Sequence, residues 1–154
     1  MPTTKVKGID LYFEEHGKGN PLLLVPGLGG TGSYWGPQIK TFSEKFRVVV
    51  HDHRGTGKST HETSICYSVE QMATDLVGLM DALEIEKAHF LGHSTGGAIG
   101  QVVSIEHPNR LMSAVLYASW VKADRFMKNV FDVRKTLLRE SGGLAYARAT
   151  PIFL

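Results

Sequence analysis

The sequence contains one cysteine, Cys66, and therefore lacks the pair of thiols that an internal disulfide requires. No apolar run reaches membrane-spanning length, and the first eight residues lack the apolar core of a signal peptide. The 17 basic residues exceed the 15 acidic ones by only two and form no cluster, so the basic patch of a nucleic-acid-binding protein is missing. These absences predict a cytoplasmic protein that binds neither membranes nor nucleic acids.

Short apolar runs are present instead, and they alternate with amphipathic segments. Runs typical of buried strands of a parallel sheet occupy residues 22–25 and 46–50, a further such run ends at Leu91, and another apolar strand is predicted over residues 111–118. Residues 4–16 alternate more loosely and indicate one or two edge strands. Ser68 and Gln71 form a capping box, which predicts a helix over residues 69–83. This order of elements predicts an α/β fold with a doubly wound, mostly parallel sheet.

The pattern changes after Trp120. Residues 123–140 place apolar side chains at helical spacing, and Ser141-Gly-Gly143 interrupts that helix before a second helical stretch. We therefore expect residues 1–120 to form the N-terminal part of an incomplete α/β core. Residues 121–154 are expected to form the start of a truncated helical cap.

The most informative stretch is Gly92-His-Ser-Thr-Gly96, which lies between an apolar run and a segment rich in small residues. A G-x-S-x-G turn between a strand and a helix is typical of the nucleophile elbow, which exposes a serine hydroxyl at the end of a sheet. Ser94 is therefore the candidate nucleophile, and the N–H of Thr95 is a candidate oxyanion donor. An ordinary glycine-serine turn is the alternative.

A glycine-rich loop, Pro26-Gly-Leu-Gly-Gly30, follows an earlier predicted strand. We expect it to supply the second oxyanion donor, the backbone N–H of Leu28 or of Gly29. The loop fits no nucleotide-binding pattern, and no cofactor is expected. Gly55-Thr-Gly-Lys-Ser59 is similar to the end of a phosphate-binding loop, but Asp52 occupies the position of the first required glycine.

A serine nucleophile needs a histidine base and an acid that orients this base. His51 and His53 could approach the site, although histidines that hold a loop by hydrogen bonds are the simpler interpretation. His93 should project away from the hydroxyl of Ser94 and pack below the turn. A zinc site at His51 and His53 is disfavoured, because Asp52 between them points to the opposite face of a strand. No metal is expected.

Other polar and aromatic residues are candidates for structural or functional roles. Arg54 is expected to anchor its loop by pairing with a carboxylate such as Asp52. Asp124, shortly after the last predicted core strand, is an alternative acid. A substrate pocket is predicted from glycines of the loop after the first buried strand and from aromatic residues around the cap: Gly27, Gly29, Trp120, Phe126 and Phe131. Packing within the cap is the alternative for the aromatic side chains.

Three of these motifs together resemble the N-terminal half of the α/β-hydrolase fold family: P-G-L-G-G at 26–30, D-H-R-G-T-G-K-S at 52–59 and G-H-S-T-G-G at 92–97. Further segments are similar to the aminoacrylate (carbamate) hydrolases of pyrimidine degradation, with the 3-oxoadipate enol-lactonases as near relatives: residues 27–38, 67–73 and 141–154. The resemblance implies a serine hydrolase, such as an esterase or lactonase. It would cleave an ester, lactone or amide-like bond of a small-molecule substrate.

The resemblance also implies that residues are missing, because the acid and base of the family follow later core strands. No residue of this sequence matches those positions. We therefore expect the chain to have little turnover by itself, to need the C-terminal half of the same enzyme as a partner, and to aggregate without it. A homodimer is left open. Two other functions are also left open, a non-catalytic module that binds a small ligand or partner and a hydrolase of C–C bonds.

Overall fold

A computed structural model describes residues 2–62, 64 and 67–150 of the chain. The strands in these ranges are β1 (Thr3–Val6), β2 (Ile9–His16), β3 (Asn20–Val25), β4 (Phe46–His51), β5 (Ala88–His93) and β6 (Leu111–Tyr117). The α-helices are α1 (Gly36–Ser43), α2 (Val69–Ala82), α3 (Thr95–Glu106) and α4 (Arg125–Ala149). Two short 3₁₀ helices cover Gly32–Trp35 and Pro108–Arg110.

The strands form one sheet in the order β1-β2-β4-β3-β5-β6. β3 pairs in parallel with β4 and β5, and β6 pairs in parallel with β5. β2 pairs antiparallel with β1 and β4, so β1 lies at the edge while β2 is interior. This order confirms the predicted doubly wound, mostly parallel sheet. Because β3 and β5 are neighbours and parallel, the loops that follow them leave the same edge of the sheet.

Each face of the sheet carries its own hydrophobic core, and β3 contributes to both. Leu23 and Val25 pack with apolar residues of α2 and α3. Leu22 and Leu24 pack on the other face with Trp35 and with apolar residues of α1. Successive side chains of a strand point to opposite faces, so a strand covered on both faces must be apolar at consecutive positions. Burial of one such leucine side chain contributes about 1.5–3 kcal/mol.

The described chain divides into two compact units after Trp120. The first contains the sheet with α1, α2 and α3, and the second contains α4. Asp124, the alternative acid, caps α4 by accepting the N–H of Met127 at 2.8 Å. Gly142 has a φ of 78° and a ψ of 175°, so α4 is two helical segments separated at the predicted break. That the units are an incomplete core and a truncated cap stays a prediction.

No helix within the described ranges is both long enough and apolar enough to cross a membrane. α4 is the longest of them, with 25 residues. Eight of its 25 residues are charged, which a bilayer core does not accommodate.

β6 lies at an edge of the sheet and has an apolar, exposed surface. Residues 112–117 are all exposed, and Val115 and Tyr117 keep 56% and 60% of their surface open to solvent. One side of β6 pairs with β5, and no strand of the described chain pairs with its other side. An exposed apolar edge is a template for pairing with another strand.

We expect the chain by itself to self-associate through β6, and Val115→Lys to reduce that association. A lysine on an edge strand opposes pairing because its charge loses hydration when a second strand docks. Sedimentation velocity over a range of protein concentrations measures the effect. Val133→Lys is the matched control, because Val133 on α4 is also 54% exposed. A wild-type chain that stays monomeric and melts cooperatively would contradict the prediction.

Candidate active site

Ser94 occupies the turn between β5 and α3 in a conformation that serine seldom adopts. Its φ is 55° and its ψ is −117°. A positive φ in a residue other than glycine costs of order 1–3 kcal/mol unless the surroundings enforce it. Two hydrogen bonds hold the backbone, because the N–H of Ser94 donates to the carbonyl of Tyr117 (3.0 Å) and its carbonyl accepts the N–H of Ala98 (3.2 Å). The G-x-S-x-G motif therefore forms a strained strand-to-helix turn.

Gly92 and Gly96 allow backbone segments to approach closely around this turn. A Cβ on Gly96 would overlap the carbonyl oxygens of Val25 and Pro26, at the end of β3. A Cβ on Gly92 would overlap the carbonyl oxygen of Gly96. The first turn of α3 therefore rests directly on the end of β3, which a larger residue at either position would prevent.

Residues 26–30, termed the donor loop, follow β3 and lie beside Ser94. A Cβ built on Gly27 would lie 3.2 Å from the Cβ of Ser94 and 3.4 Å from Nδ1 of His93, so the loop passes close to both side chains. The N–H of Gly30 donates to the carbonyl of Gly27 at 3.0 Å, which closes a turn with Leu28 near its tip. The Leu28 side chain is 49% exposed.

Thr95 is the first residue of α3 and is buried. The first N–H groups of an α-helix have no acceptor within the helix, and they form the positive end of its dipole. Ser94 therefore lies between the start of α3 and the donor loop. The structure brings together the serine and the two backbone segments that the sequence singled out.

Residues 52–59, termed the brace loop, follow β4 and contain the buried carboxylate of Asp52. This carboxylate accepts the N–H of Gly32 at 2.9 Å and the N–H of Lys58 at 2.8 Å. A Cβ on Gly57 would overlap the Asp52 carboxylate, so the loop curls tightly around it. The stretch that is similar to a phosphate-binding loop therefore surrounds a carboxylate of its own chain.

The expected pairing of Arg54 with a carboxylate is confirmed, but the partner is Asp75 and not Asp52, the residue named as the example. Arg54 forms a bidentate pair with Asp75 on α2, with distances of 2.5 Å from Nε to Oδ2 and 2.6 Å from Nη2 to Oδ1. Both side chains are almost fully buried. The Asp52 carboxylate already accepts backbone N–H groups, whereas Asp75 extends from the apolar face of α2. Removing one partner of such a buried pair typically costs about 3–5 kcal/mol.

His51 and His53 lie at the end of β4 and in the brace loop, with their rings edge to face and their centroids 5.0 Å apart. Burial lowers the pKa of His51 well below its usual value, and the nearby His53 lowers it further. Burial also lowers the pKa of His53. His53 Nε2 lies 2.9 Å from the carbonyl oxygen of Pro26. Both rings are therefore neutral near pH 7, and His53 is hydrogen-bonded to the donor loop.

His93 is held by aromatic side chains that the sequence pattern did not indicate. Its ring stacks on Tyr34, with centroids 4.9 Å apart and planes 14° from parallel, and it lies 5.4 Å from the ring of Tyr117. Its Nδ1 is buried and has no hydrogen-bond partner among the described residues. Burial lowers the pKa of His93. Tyr117 is its register partner across β5 and β6, so correct strand pairing would have revealed this contact.

The predicted pocket residues fall in both compact units. The two glycines belong to the donor loop, and Trp120 is the last residue of the first unit. Phe126 and Phe131 lie on α4, where Phe126 is 76% exposed and the guanidinium of Arg134 lies 5.6 Å from the Phe131 ring. Their grouping into a pocket stays a prediction. Within residues 2–62, 64 and 67–150, no three His, Cys, Asp or Glu side chains are grouped to hold a metal ion.

A family model described as alpha/beta hydrolase fold matches residues 20–143. The chain belongs to the alpha/beta hydrolase fold family. The matched range begins with β3, includes the donor loop, the brace loop and Ser94, and ends inside α4. The resemblance that the motifs predicted is confirmed.

Relatives of this alpha/beta hydrolase fold protein include carbamate hydrolases by name. A protein from Azorhizobium caulinodans that carries the name carbamate hydrolase RutD is 40% identical over 154 residues, covering all of this chain and 58% of the relative. A protein of the same name from Caulobacter sp. strain K31 is 42% identical over 148 residues, covering 94% of this chain and 55% of the relative. The chain therefore spans little more than half the length of these relatives.

Solved structures similar to this chain are also hydrolases by name. The enol-lactonase from Burkholderia xenovorans LB400 has a TM-score of 0.87 at 32% identity, over 97% of this chain and 58% of that chain. A hydrolase from Pseudomonas aeruginosa has a TM-score of 0.86 at 27% identity, over 97% of this chain and 56% of that chain. The similar proteins are thus hydrolases by name, and each extends beyond the part that this chain matches.

We expect Gly96→Ala to destabilise the fold by about 1–3 kcal/mol, because the new methyl group overlaps two carbonyl oxygens at the end of β3. Urea unfolding followed by circular dichroism measures the loss. Gly36→Ala is the matched control, since a Cβ at this helical position meets no atom within 4 Å. Equal stabilities of the two variants would show that α3 does not depend on this contact.

Because burial lowers the pKa of His51 and of His53, we expect the free energy of unfolding to rise with pH in the acidic range below 6.5. In the unfolded chain both titrate near 6.5, whereas the folded values are lower. At a pH between the folded and the unfolded pKa values, the unfolded state binds more protons than the folded state. Each of the two histidines then lowers the free energy of unfolding by up to about 1.4 kcal/mol for every unit by which the pH falls.

Urea unfolding at several pH values across this window measures the slope. His51→Gln should lower it, whereas His61→Gln, at an exposed position, should leave it unchanged. An identical slope in His51→Gln and the wild-type chain would contradict the linkage.

Proposed function

We propose that this chain supplies the nucleophile and the oxyanion hole of a serine hydrolase. The observation that carries the proposal is the close approach of the donor loop to Ser94, whose strained backbone is fixed by two hydrogen bonds. In the proposed reaction the Ser94 hydroxyl attacks a carbonyl carbon while a histidine accepts its proton. The N–H groups of Leu28 and Thr95 bind the oxyanion that forms.

The tetrahedral intermediate then collapses, and the leaving group departs with the proton returned by the histidine. This leaves an acyl group on the Ser94 oxygen, and water hydrolyses it in a second round of the same chemistry. The proposed substrate is a small metabolite with an ester, lactone or amide-like bond, including a carbamate. The names of the relatives, carbamate hydrolase and enol-lactonase, support this range of carbonyl compounds.

The described histidines near Ser94 are poorly suited to be the base. His53 is hydrogen-bonded to the carbonyl of Pro26, His51 is buried against His53, and His93 is stacked on Tyr34. We therefore propose that the base and its acid come from polypeptide equivalent to the part of the relatives that this chain does not match. The exposed apolar side of β6 supports a docking site for that polypeptide.

A fusion tests this proposal. The chain is joined to the part of the Azorhizobium caulinodans relative that follows its match, and the folded product is treated with a fluorophosphonate probe. We expect the probe to label Ser94, because an activated serine attacks phosphorus as it attacks a carbonyl carbon.

Ser94→Ala should abolish the labelling, whereas Ser104→Ala should retain it because Ser104 is an exposed serine on α3, outside the proposed docking strand. A folded fusion that stays unlabelled would favour the non-catalytic module that binds a small ligand. A labelled fusion that hydrolyses C–C bonds but no ester, lactone or carbamate would overturn the proposed substrate class.

A further inference from the structure

We propose that His53 is a positioning residue for hydrolysis, because its Nε2–H holds the carbonyl of Pro26 and thereby fixes the donor loop against Ser94. This inference rests on the proposed function for its catalytic consequence. The geometry on which it depends is independent of that function.

The brace loop holds the donor loop at both of its ends. His53 Nε2 lies 2.9 Å from the carbonyl oxygen of Pro26, the first residue of the donor loop. The hydroxyl of Thr56 lies 3.1 Å from the carbonyl oxygen of Gly30, the last residue, and 2.9 Å from that of His53, so these two carbonyls share its single proton. The turn with Leu28 near its tip lies between these two anchors. The loop is therefore positioned by side chains that lie 27 and 26 residues further along the sequence.

The donor loop needs such external support because three of its five residues are glycine. Glycine backbones have wide conformational freedom, and their ordering costs more entropy than that of other residues. A carbonyl that accepts a hydrogen bond from a buried side chain restricts the peptide plane to which it belongs. The Pro26 carbonyl and the Gly27 N–H share one plane, so His53 sets the direction in which the chain enters the turn.

His53 is suited to this task by its surroundings. A carbonyl oxygen only accepts hydrogen bonds, so Nε2 must carry the proton and the ring must be the Nε2–H tautomer or the cation. Burial, which leaves the side chain 2% exposed, favours the neutral ring. His51 packs edge to face against it and limits rotation of the ring. The donor is therefore fixed in both direction and protonation state.

The expected catalytic consequence is a loss in kcat with little change in KM. The oxyanion forms only during the reaction. A misplaced Leu28 N–H therefore reduces the stabilisation of the transition state more than the binding of the substrate. Complete loss of one oxyanion donor lowers kcat by about 10²–10³. A donor loop that is only loosened should lower kcat by less, about 10-fold to 100-fold.

Two substitutions separate the hydrogen bond from packing. His53→Leu removes the donor at similar volume, and His53→Gln retains an amide N–H that can reach the same carbonyl. Hydrogen exchange by mass spectrometry on the chain itself, at low concentration, follows peptides that cover residues 26–32. These peptides include the N–H groups of Gly30 and Gly32, which are hydrogen-bonded in the wild-type chain.

We expect exchange in His53→Leu to be about tenfold faster than in the wild-type chain, as for the loss of one hydrogen bond, and His53→Gln to restore most of the protection. In the labelled fusion, His53→Leu should lower kcat and the rate of Ser94 labelling, with KM unchanged and rescue by His53→Gln.

The outcomes distinguish the two proposals. Unchanged exchange in His53→Leu, or no rescue by His53→Gln, would overturn the positioning role whatever the activity. Faster exchange with rescue in a chain whose fusion is never labelled would support the positioning of the loop and overturn the serine hydrolase. Faster exchange with unchanged kcat in an active fusion would overturn the catalytic consequence.

Discussion

The contact between the first turn of α3 and the end of β3 is the constraint on which the site depends. Gly96 lies so close to the carbonyl of Val25 that no Cβ fits between them. β3 and β5 are parallel neighbours, and their following loops therefore leave the sheet side by side. The contact brings these loops together and leaves Ser94 at their junction. Backbone segments of the donor loop and of α3 thus lie beside the serine.

Buried polar groups of the brace loop and of α2 stabilise this arrangement. Asp52, His53 and the pair of Arg54 with Asp75 are buried, and each has hydrogen-bond partners in the protein. Buried polar groups are tolerated only when they are satisfied in this way, and a satisfied network rigidifies the elements that it joins. The brace loop is therefore a structural element of the site, although its sequence resembles part of a nucleotide-binding loop.

Local patterns in the sequence predicted most of the fold. The patterns that predicted β3, α2 and α3 are an apolar run, a capping box and a run of small residues. Each pattern involves only residues that are close in sequence, and each element lies where its pattern indicates. The contacts between the loops were not predictable in this way, because their partners are 20 or more residues apart. Asp75 was the one accessible signal, since a carboxylate on the apolar face of a helix requires a buried cation. Recognition of this signal would have identified the partner of Arg54.

One hydrogen bond connects β6, the outermost strand, to Ser94. The N–H of Ser94 donates to the carbonyl of Tyr117, on the strand whose far side is open. A polypeptide that docks along the open side of that strand would therefore be separated from Ser94 by one strand and one hydrogen bond. The backbone position of Ser94 thus depends on the same strand that bears the open edge of the sheet.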